Sequence, residues 1–191
     1  MQLTVDKVLD ATGLSCPMPI VKTKRAIDGM AAGEVLEVHA TDQGSTADIK
    51  AWAKSTGVQY LGTITAGDVL KHYVRKPSVS EVEDRRESDA VVALDQLQEK
   101  VAAGEKLTII DVREQAEYAF GHIPGAKNIP LGELEERLSE IDRNDDIYVI
   151  CRSGNRSDLA VHTMKQAGLT KVKNVVPGMN TWTGPTETSH A

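Results

Sequence analysis

A polar and charged stretch at residues 77–88 interrupts the chain and separates two blocks of regularly patterned apolar residues. The stretch opens with a proline and has no sustained periodicity, which is typical of a linker. The chain has 191 residues, so each block has the length of one small domain of about 80–110 residues. The sequence therefore predicts two domains, at residues 1–76 and 89–191, joined by a linker at residues 77–88.

The first block predicts the element order βαβαββ. Strand patterns occur near residues 3–9, 36–40, 60–65 and 69–76, and helical patterns begin near Cys16 and at Ser45 or Thr46. Because an amphipathic helix must bury its apolar face, we expect a two-layer sandwich with both helices on one face of a four-stranded sheet.

The second block predicts an α/β fold with a parallel sheet. Residues 107–112, 147–151 and 172–176 are short apolar runs, as expected of strands that are covered on both faces. Helical patterns occur at residues 131–141 and from about Arg156 to Gly168. Strands that alternate with helices imply a parallel sheet with right-handed crossovers.

The composition excludes several classes of protein. With 40% hydrophobic and 26% charged residues, the chain resembles an ordinary soluble globular protein. Its net charge of −6 argues against nucleic-acid binding through a broad basic surface. No run approaches the roughly 18 apolar residues of a membrane span, and the first residues lack the pattern of a signal peptide. We therefore expect a cytoplasmic protein without direct contact to membranes or nucleic acids.

Cys16 and Cys151 are the two cysteines of the chain. Two cysteines are too few for a disulfide framework, and neither has another Cys or a His at the spacing of a zinc site. We therefore expect no metal and no cofactor. The chemistry of the protein then depends on whether these thiols are inert or reactive.

Cys151 closes a predicted buried strand, and a predicted helix begins a few residues later. Ligand sites form at the carboxyl ends of such strands. The segment from Cys151 to Ser157 reads Cys-Arg-Ser-Gly-Asn-Arg-Ser, and its backbone N–H groups could converge on an anion at the start of the helix. We expect a thiol in that position to be ionised and nucleophilic at neutral pH. An inert cysteine at a strand end is the alternative.

The second block resembles the rhodanese family over nearly its whole length. The resemblance is carried by Asp111-Val-Arg113, Glu117-Tyr118, Gly121-His-Ile-Pro-Gly-Ala126, Asn128-Ile-Pro130, the Cys151 loop, and Pro177-Gly178 before Trp182. It implies a persulfide on Cys151. It also implies that the following loop binds an anionic donor through Arg152, Arg156 and the backbone amides, with the loop comprising Arg152, Ser153, Gly154, Asn155 and Arg156. For Asp111 and Arg113 we expect a supporting role, in which they brace this loop.

Cysteine-dependent phosphatases also place a thiolate in a cradle of amides, with an arginine six positions after the cysteine. Here Arg156 stands at five positions and Ser157 at six, and no Asp can be assigned as the general acid. Phosphatase activity is therefore the minor interpretation. The positive loop favours thiosulfate, or a low-molecular-weight persulfide or polysulfide, as the sulfur donor.

Cys16 lies in the sequence Cys16-Pro17-Met18-Pro19 at the predicted start of a helix. Proline suits the first helical turn, where N–H groups have no intrahelical partner. We expect Pro17 and Pro19 to set the entry of the chain into the helix, and the helix dipole to favour the Cys16 thiolate. A proline-initiated helix that happens to carry a cysteine is the alternative.

Residues 4–76 resemble the TusA/SirA-like sulfur-carrier family. The matching motifs are Leu9-Asp10-Ala11, Gly13-Leu14, Cys16-Pro17-Met18-Pro19, Gly33-Glu34 and Asp42. This resemblance implies that Cys16 accepts and donates persulfide sulfur, and that this domain contacts a protein sulfur donor or acceptor. The sequence thus predicts a sulfurtransferase in which sulfur moves between Cys151 and Cys16. A persulfide-responsive binding module without turnover, and a two-thiol redox buffer, are the alternatives.

Overall fold

The computed structural model describes residues 3–78, 81 and 88–189. They fall into two compact units, one within Gln2–Val82 and the other within Glu83–Ala191. Each unit has its own sheet and its own apolar core. The predicted linker at residues 77–88 lies largely outside the described residues, so the domain limits remain a prediction.

The N-terminal unit has the predicted element order. Its strands are β1 (Lys7–Asp10), β2 (Val35–Ala40), β3 (Gln59–Ala66) and β4 (Val69–Arg75), and its helices are α1 (Met18–Asp28) and α2 (Ser45–Thr56). The sheet order is β1-β2-β4-β3, with β1 and β2 parallel and the other pairs antiparallel.

The core of this unit lies between the sheet and its two helices. Leu36 and Val38 are two residues apart on β2, so their side chains point to the same face of the sheet. They form one buried cluster with Ile27 of α1 and Ile49 of α2. Both helices therefore cover the same face, which confirms the predicted two-layer sandwich.

The C-terminal unit is built on a parallel sheet of five strands in the order β5-β9-β8-β6-β7. Its strands are β5 (Val91–Ala93), β6 (Thr108–Asp111), β7 (Lys127–Asn128), β8 (Ile147–Ile150) and β9 (Val172–Val176). Its helices are α3 (Leu94–Ala102), α4 (Gln115–Ala119), α5 (Leu134–Arg137) and α6 (Asn155–Gln166), with 3-10 turns at Leu131–Glu133, Leu138–Glu140 and Met179–Thr181. The parallel α/β fold predicted from the sequence is thereby confirmed.

The helix predicted at residues 131–141 was wrong in its extent. Only Leu134–Arg137 is α-helical, and a 3-10 turn flanks it on each side. Leu134 and Ile141 are nevertheless buried in the core, so the apolar spacing marked the buried face correctly. Residues three positions apart lie on the same face in a 3-10 turn as well as in an α-helix. The short helix and its flanking turns therefore bury the same apolar residues that one continuous helix would bury.

Strand β8 is covered on both faces. Ile147 and Val149 belong to one apolar cluster, and Tyr148 and Ile150 belong to another. In the parallel register, Asp111 of β6 lies opposite Ile150. Because the carboxyl ends of parallel strands meet at one edge of the sheet, the residues after Ile150, Asp111 and Val176 converge there.

Among the described residues, no helix is both long enough and apolar enough to cross a membrane.

Candidate functional site

Cys151 lies directly after β8 at the carboxyl edge of the parallel sheet. Its Sγ atom accepts a hydrogen bond from the backbone N–H of Gly154, with an N···S distance of 3.1 Å. The Oγ atom of Ser157 lies 3.2 Å from the same sulfur. Cys151 is 1% exposed and contacts the apolar core, but its sulfur faces two polar groups rather than apolar packing alone.

The backbone of the loop brings these groups to the sulfur. Gly154 has φ = +96°, in the left-handed region that favours glycine, and it is the N-cap of the 12-residue helix α6. The sulfur therefore lies at the N-terminus of α6, where the unpaired N–H groups carry partial positive charge. This arrangement can stabilise a negative charge on sulfur.

The segment after β9 holds the loop from the other side. The N–H groups of Met179 and Asn180 donate to the carbonyl oxygens of Cys151 and Arg152, at 2.8 and 3.0 Å. Gly178 permits this approach, because a Cβ atom there would lie 2.5 Å from the carbonyl oxygen of Cys151. The backbone of the cysteine loop is thus fixed by residues more than 25 positions further along the chain.

Arg152 is half-buried, and its Nε–H donates to Oδ1 of Asn180 at 3.1 Å. A guanidinium group has five N–H donors. Among the described residues this hydrogen bond is the one that the Arg152 side chain makes within the protein. Arg152 is consequently the loop cation that can meet an anion.

Arg156 differs from the expectation that it faces the donor. Its Nη1 and Nη2 groups donate to the two carboxylate oxygens of Glu117, at 2.7 and 2.9 Å. The side chains of Arg156 and Glu117 are only 7% and 0% exposed. Because Glu117 neutralises this guanidinium within the protein, Arg156 anchors the loop to α4.

Asp111 and Arg113 form a second buried ion pair near the loop. The Nη2 group of Arg113 donates to Asp111 at 2.6 Å and to the carbonyl oxygen of Gly121 at 2.7 Å. The side-chain Nδ2 group of Asn128 donates to the backbone carbonyl oxygens of both Asp111 and Arg113. These contacts connect β6, β7 and the turn at Gly121, and they agree with a supporting role for Asp111 and Arg113.

Ser157 and Asn174 were not among the predicted site residues. Ser157 Oγ lies 2.6 Å from Oδ1 of Asn174, and the Asn174 amide donates to the carbonyl oxygen of Gly154 at 3.0 Å. A sequence signal existed for Asn174, because it is an uncharged polar residue inside the apolar run Val172–Val176 of a buried strand. Ser157 is the third residue of α6, so its side chain lies in the first helical turn, next to the loop that ends at the N-cap Gly154.

Cys16 is exposed and lies two residues before the first residue of α1. Pro17 is the N-cap of this helix, and Pro19 is buried in its first turn. The sequence predicted that the helix dipole favours the Cys16 thiolate, but the structure shows the opposite balance. The Asp48 carboxylate, which accepts a hydrogen bond from the thiol, raises the pKa of Cys16, and partial desolvation and the negative charges of Asp48 and Asp42 act in the same direction.

Asp48 lies in the first turn of α2. The buried His72 holds this turn through a hydrogen bond to Ser45. Nε2 of His72 lies 2.8 Å from Ser45 Oγ, and Nδ1 lies 2.6 Å from Thr63 Oγ1. Burial lowers the pKa of His72 to about 4, so this imidazole is neutral at pH 7. A neutral histidine thus connects β3 and β4 to the helix that carries Asp48.

In the part of the chain that the structure describes, no three side chains of the types His, Cys, Asp and Glu converge into a set that could hold a metal ion.

Two family models match the chain in succession. The model described as "Sulfurtransferase TusA" matches residues 7–76, and the model described as "Rhodanese-like domain" matches residues 93–185. The Bacillus subtilis (strain 168) protein named "Putative sulfur carrier protein YrkF" is 56% identical over 94% of this chain and 97% of its own length.

Other relatives match one unit each. The "Sulfur carrier protein TusA" of Allochromatium vinosum (strain ATCC 17899 / DSM 180 / NBRC 103801 / NCIMB 10441 / D) is 41% identical over 37% of this chain and 93% of its own length. The "Putative sulfurtransferase YtwF" of Bacillus subtilis (strain 168) is 41% identical over 48% of this chain and 87% of its own length.

The fold, the two cysteines at helix starts and these matches define a class of sulfur-handling protein, in which a TusA-like unit precedes a rhodanese-like unit. Within that class, the chain belongs to the family of fused TusA–rhodanese proteins that includes the Bacillus relative similar over its full length. Both resemblances inferred from the sequence motifs are confirmed.

Proposed function

We propose that this protein is a sulfurtransferase that carries sulfane sulfur as a persulfide on Cys151. The donor is thiosulfate or a small persulfide or polysulfide, and sulfur passes to or from Cys16 and on to a thiol or protein acceptor. The observation that carries the proposal is the placement of the Gly154 N–H and the Ser157 hydroxyl around the Cys151 sulfur. Both groups can donate to a sulfur anion at the start of a helix.

The chemistry consists of two displacements at sulfur. The Cys151 thiolate attacks the outer sulfur of thiosulfate, a new S–S bond forms, and sulfite leaves with the electron pair of the broken S–S bond. An acceptor thiolate then attacks the outer sulfur of the persulfide, and the Cys151 thiolate leaves. Each step forms one S–S bond and breaks another, so no external oxidant or reductant is consumed.

Arg152 supports the choice of an anionic donor. Its charge is not neutralised by a carboxylate among the described residues, whereas Glu117 pairs with Arg156 and Asp111 pairs with Arg113. Asn180 holds the Nε side of the Arg152 guanidinium, which leaves its outer edge as the part that can bind an oxyanion. Ser153 and Asn155 complete the loop whose backbone the donor would meet.

Two sulfur-handling cysteines on one chain support a relay between them. Tethering makes transfer an intramolecular step, with an effective concentration on the order of millimolar for a flexible connection. The hydrogen bond to Asp48 keeps the resting Cys16 thiol protonated, so Cys16 suits a carrier that reacts when a partner engages it. The TusA-like unit is the part that would contact a protein donor or acceptor.

The low exposure of Cys151 favours a second candidate function. A cysteine that is 1% exposed can hold sulfur stoichiometrically and report its own state to a partner without turnover. In that case the protein is a persulfide-sensing or sulfur-carrier binding module.

Persulfide mapping by mass spectrometry tests the proposal. Wild type, Cys16→Ser and Cys151→Ser proteins are incubated with thiosulfate or with glutathione persulfide, and each cysteine is examined for one added sulfur atom. We expect thiosulfate to load Cys151 in wild type and Cys16→Ser, and loading of Cys16 to fall in Cys151→Ser. Undiminished loading of Cys16 from thiosulfate in Cys151→Ser would exclude the relay.

Turnover separates the enzyme from the binding module. With cyanide as acceptor, a sulfurtransferase forms many equivalents of thiocyanate per protein chain, whereas a carrier or sensor stops after one equivalent per loaded cysteine.

A further inference from the structure

Ser157 has one hydroxyl hydrogen and lies between two acceptors. Its Oγ atom is 2.6 Å from Oδ1 of Asn174 and 3.2 Å from Sγ of Cys151. A serine hydroxyl donates one hydrogen bond at a time. The Asn174 oxygen and the Cys151 sulfur therefore compete for the same hydrogen.

The orientation of the Asn174 amide is fixed by its other contacts. Its Nδ2 group donates to the carbonyl oxygen of Gly154 at 3.0 Å and lies 3.3 Å from a carboxylate oxygen of Asp158. Both partners are acceptors, so Nδ2 must face them and Oδ1 must face Ser157. Asn174 is 0% exposed, and a buried oxygen that loses its donor is costly.

The protonated form of Cys151 fits this geometry without conflict. The S–H group of Cys151 can donate to Ser157 Oγ while the Ser157 hydroxyl donates to Asn174. The ionised sulfur has no hydrogen and needs donors. The Gly154 N–H remains directed at it, and the Ser157 hydroxyl can serve it only by leaving Asn174.

We propose that Asn174 is a positioning residue that limits hydrogen bonding to the ionised sulfur of Cys151, because its side-chain oxygen holds the Ser157 hydroxyl. The inference rests on the proposed role of Cys151 as the nucleophile. On ionisation the Cys151 proton leaves to solvent, and Ser157 keeps its O–H bond and rotates towards the sulfur. Once Sγ is bonded to an outer sulfur, the negative charge moves to that outer atom, and the Ser157 hydroxyl returns to Asn174.

Alkylation kinetics test this role independently of sulfur transfer. In a Cys16→Ser background, the rate of Cys151 alkylation by iodoacetamide is measured across pH for the parent, Asn174→Ala, Ser157→Ala and the double variant. We expect Asn174→Ala to raise the rate at neutral pH by about fivefold, because a hydrogen bond to a charged group is released from competition. The pH midpoint of the alkylation profile should fall correspondingly.

The Ser157→Ala background provides the decisive comparison. Without the hydroxyl, Asn174→Ala should leave the alkylation rate nearly unchanged. Asn174→Val, which suits a buried strand, should reproduce the faster alkylation if the alanine variant folds poorly. Ser157→Thr keeps a hydroxyl and should retain the response to Asn174→Ala.

Three outcomes would overturn the inference. Slower alkylation in both backgrounds would show that Asn174 only braces Gly154, equal acceleration in both would exclude Ser157, and no change would exclude any influence of Asn174. Persulfide loading of the parent is measured separately, so a parent that never forms a persulfide contradicts the proposed function while the alkylation rates still decide the role of Asn174.

Discussion

Arg156 and Glu117 form a bidentate ion pair in which both side chains are almost fully buried. Glu117 also accepts a hydrogen bond from the backbone N–H of Glu114 in the capping box of α4. One carboxylate therefore caps a short helix and holds the start of α6. Arg156, the second arginine of the cysteine loop, therefore contributes to the site by holding the loop in position.

We expect Arg156→Gln to destabilise the C-terminal unit by about 3–5 kcal/mol, because it leaves the buried Glu117 carboxylate without its cation. Urea unfolding measures this effect. Trp182 reports on the C-terminal unit in a Trp52→Phe background, since Trp52 is in α2 of the other unit.

Arg137→Gln is the matched control for Arg156→Gln. Arg137 also pairs with two carboxylates, Glu133 and Glu140, but these side chains are 32–55% exposed to solvent. Exposed pairs contribute little, so this variant should unfold close to wild type. Equal loss in both variants would mean that burial of the Glu117 pair is not what matters.

Gly178→Ala should disturb the cysteine loop more than an ordinary glycine substitution. The added Cβ would lie 2.5 Å from the Cys151 carbonyl oxygen and 2.9 Å from that of Arg152, at a φ of +101°. We expect a loss of at least about 2 kcal/mol in stability and an altered rate of Cys151 alkylation. Gly132→Ala, where the space around the Cβ is open, should leave both measurements near wild type.

Asp48→Asn should make Cys16 more reactive towards iodoacetamide at neutral pH. The Asp48 carboxylate raises the pKa of Cys16, so its removal increases the thiolate fraction, which is the reactive form. Alkylation of Cys16 is followed in a Cys151→Ser background, and a severalfold faster rate is expected. Asp42→Asn should act in the same direction but more weakly, since Asp42 contributes only through its charge. An unchanged rate in Asp48→Asn would contradict the contact.

The two thiols should differ in their tolerance of reagent size. Cys16 is exposed and Cys151 is buried. A polyethylene-glycol maleimide should therefore label Cys16 nearly as readily as a small maleimide does, and label Cys151 much more slowly than the small reagent. Mass spectrometry of both products measures the ratios, and unfolding in urea should abolish the difference. A folded protein whose Cys151 accepts both reagents equally would have an open site.

The stability of the N-terminal unit should fall as the pH is lowered from about 6.5 to 4. Burial lowers the pKa of His72 from 6.5 to about 4, so the unfolded state binds the additional proton in this range. The stabilisation is complete above pH 6.5 and is lost towards pH 4, by about 1–3 kcal/mol.

Urea unfolding followed by Trp52 fluorescence in a Trp182→Phe background measures this dependence. His72→Asn removes the titrating group and serves as the control, because the carboxylates that titrate near pH 4 are the same in both proteins. If both proteins lose stability with the same slope, His72 is not the cause.

The sequence predicted most of the longer elements, although the nine-residue helix α3 and strand β5 were not predicted. Strand β8 was recognised from its run of apolar residues, and helix α6 from the helical spacing of its apolar residues. Strand β7 has two residues and α4 has five, so neither contains enough positions for a periodic signal. These short elements depend on tertiary contacts such as the capping box at Glu114.

The chemistry of the site was predicted only in part, because partners distant in sequence determine it. The Cys151 loop was recognisable from its own residues. The pairing of Arg156 with Glu117 spans 39 positions, and the contact of Cys16 with Asp48 depends on the packing of α2 beside α1. A local pattern reveals which groups are charged, but only the fold determines which charges are neutralised.

The sulfur site depends on strand β9 and the turn after it as well as on the cysteine loop. Asn174 lies within the strand, and Gly178, Met179 and Asn180 follow it. A graft of residues 151–157 onto another strand–helix unit would carry the nucleophile alone. It would lack the backbone N–H groups of Met179 and Asn180 that hold the loop carbonyls, and the Asn174 oxygen that accepts the Ser157 hydrogen bond. The portable unit is therefore the pair of neighbouring strands with both of their trailing turns.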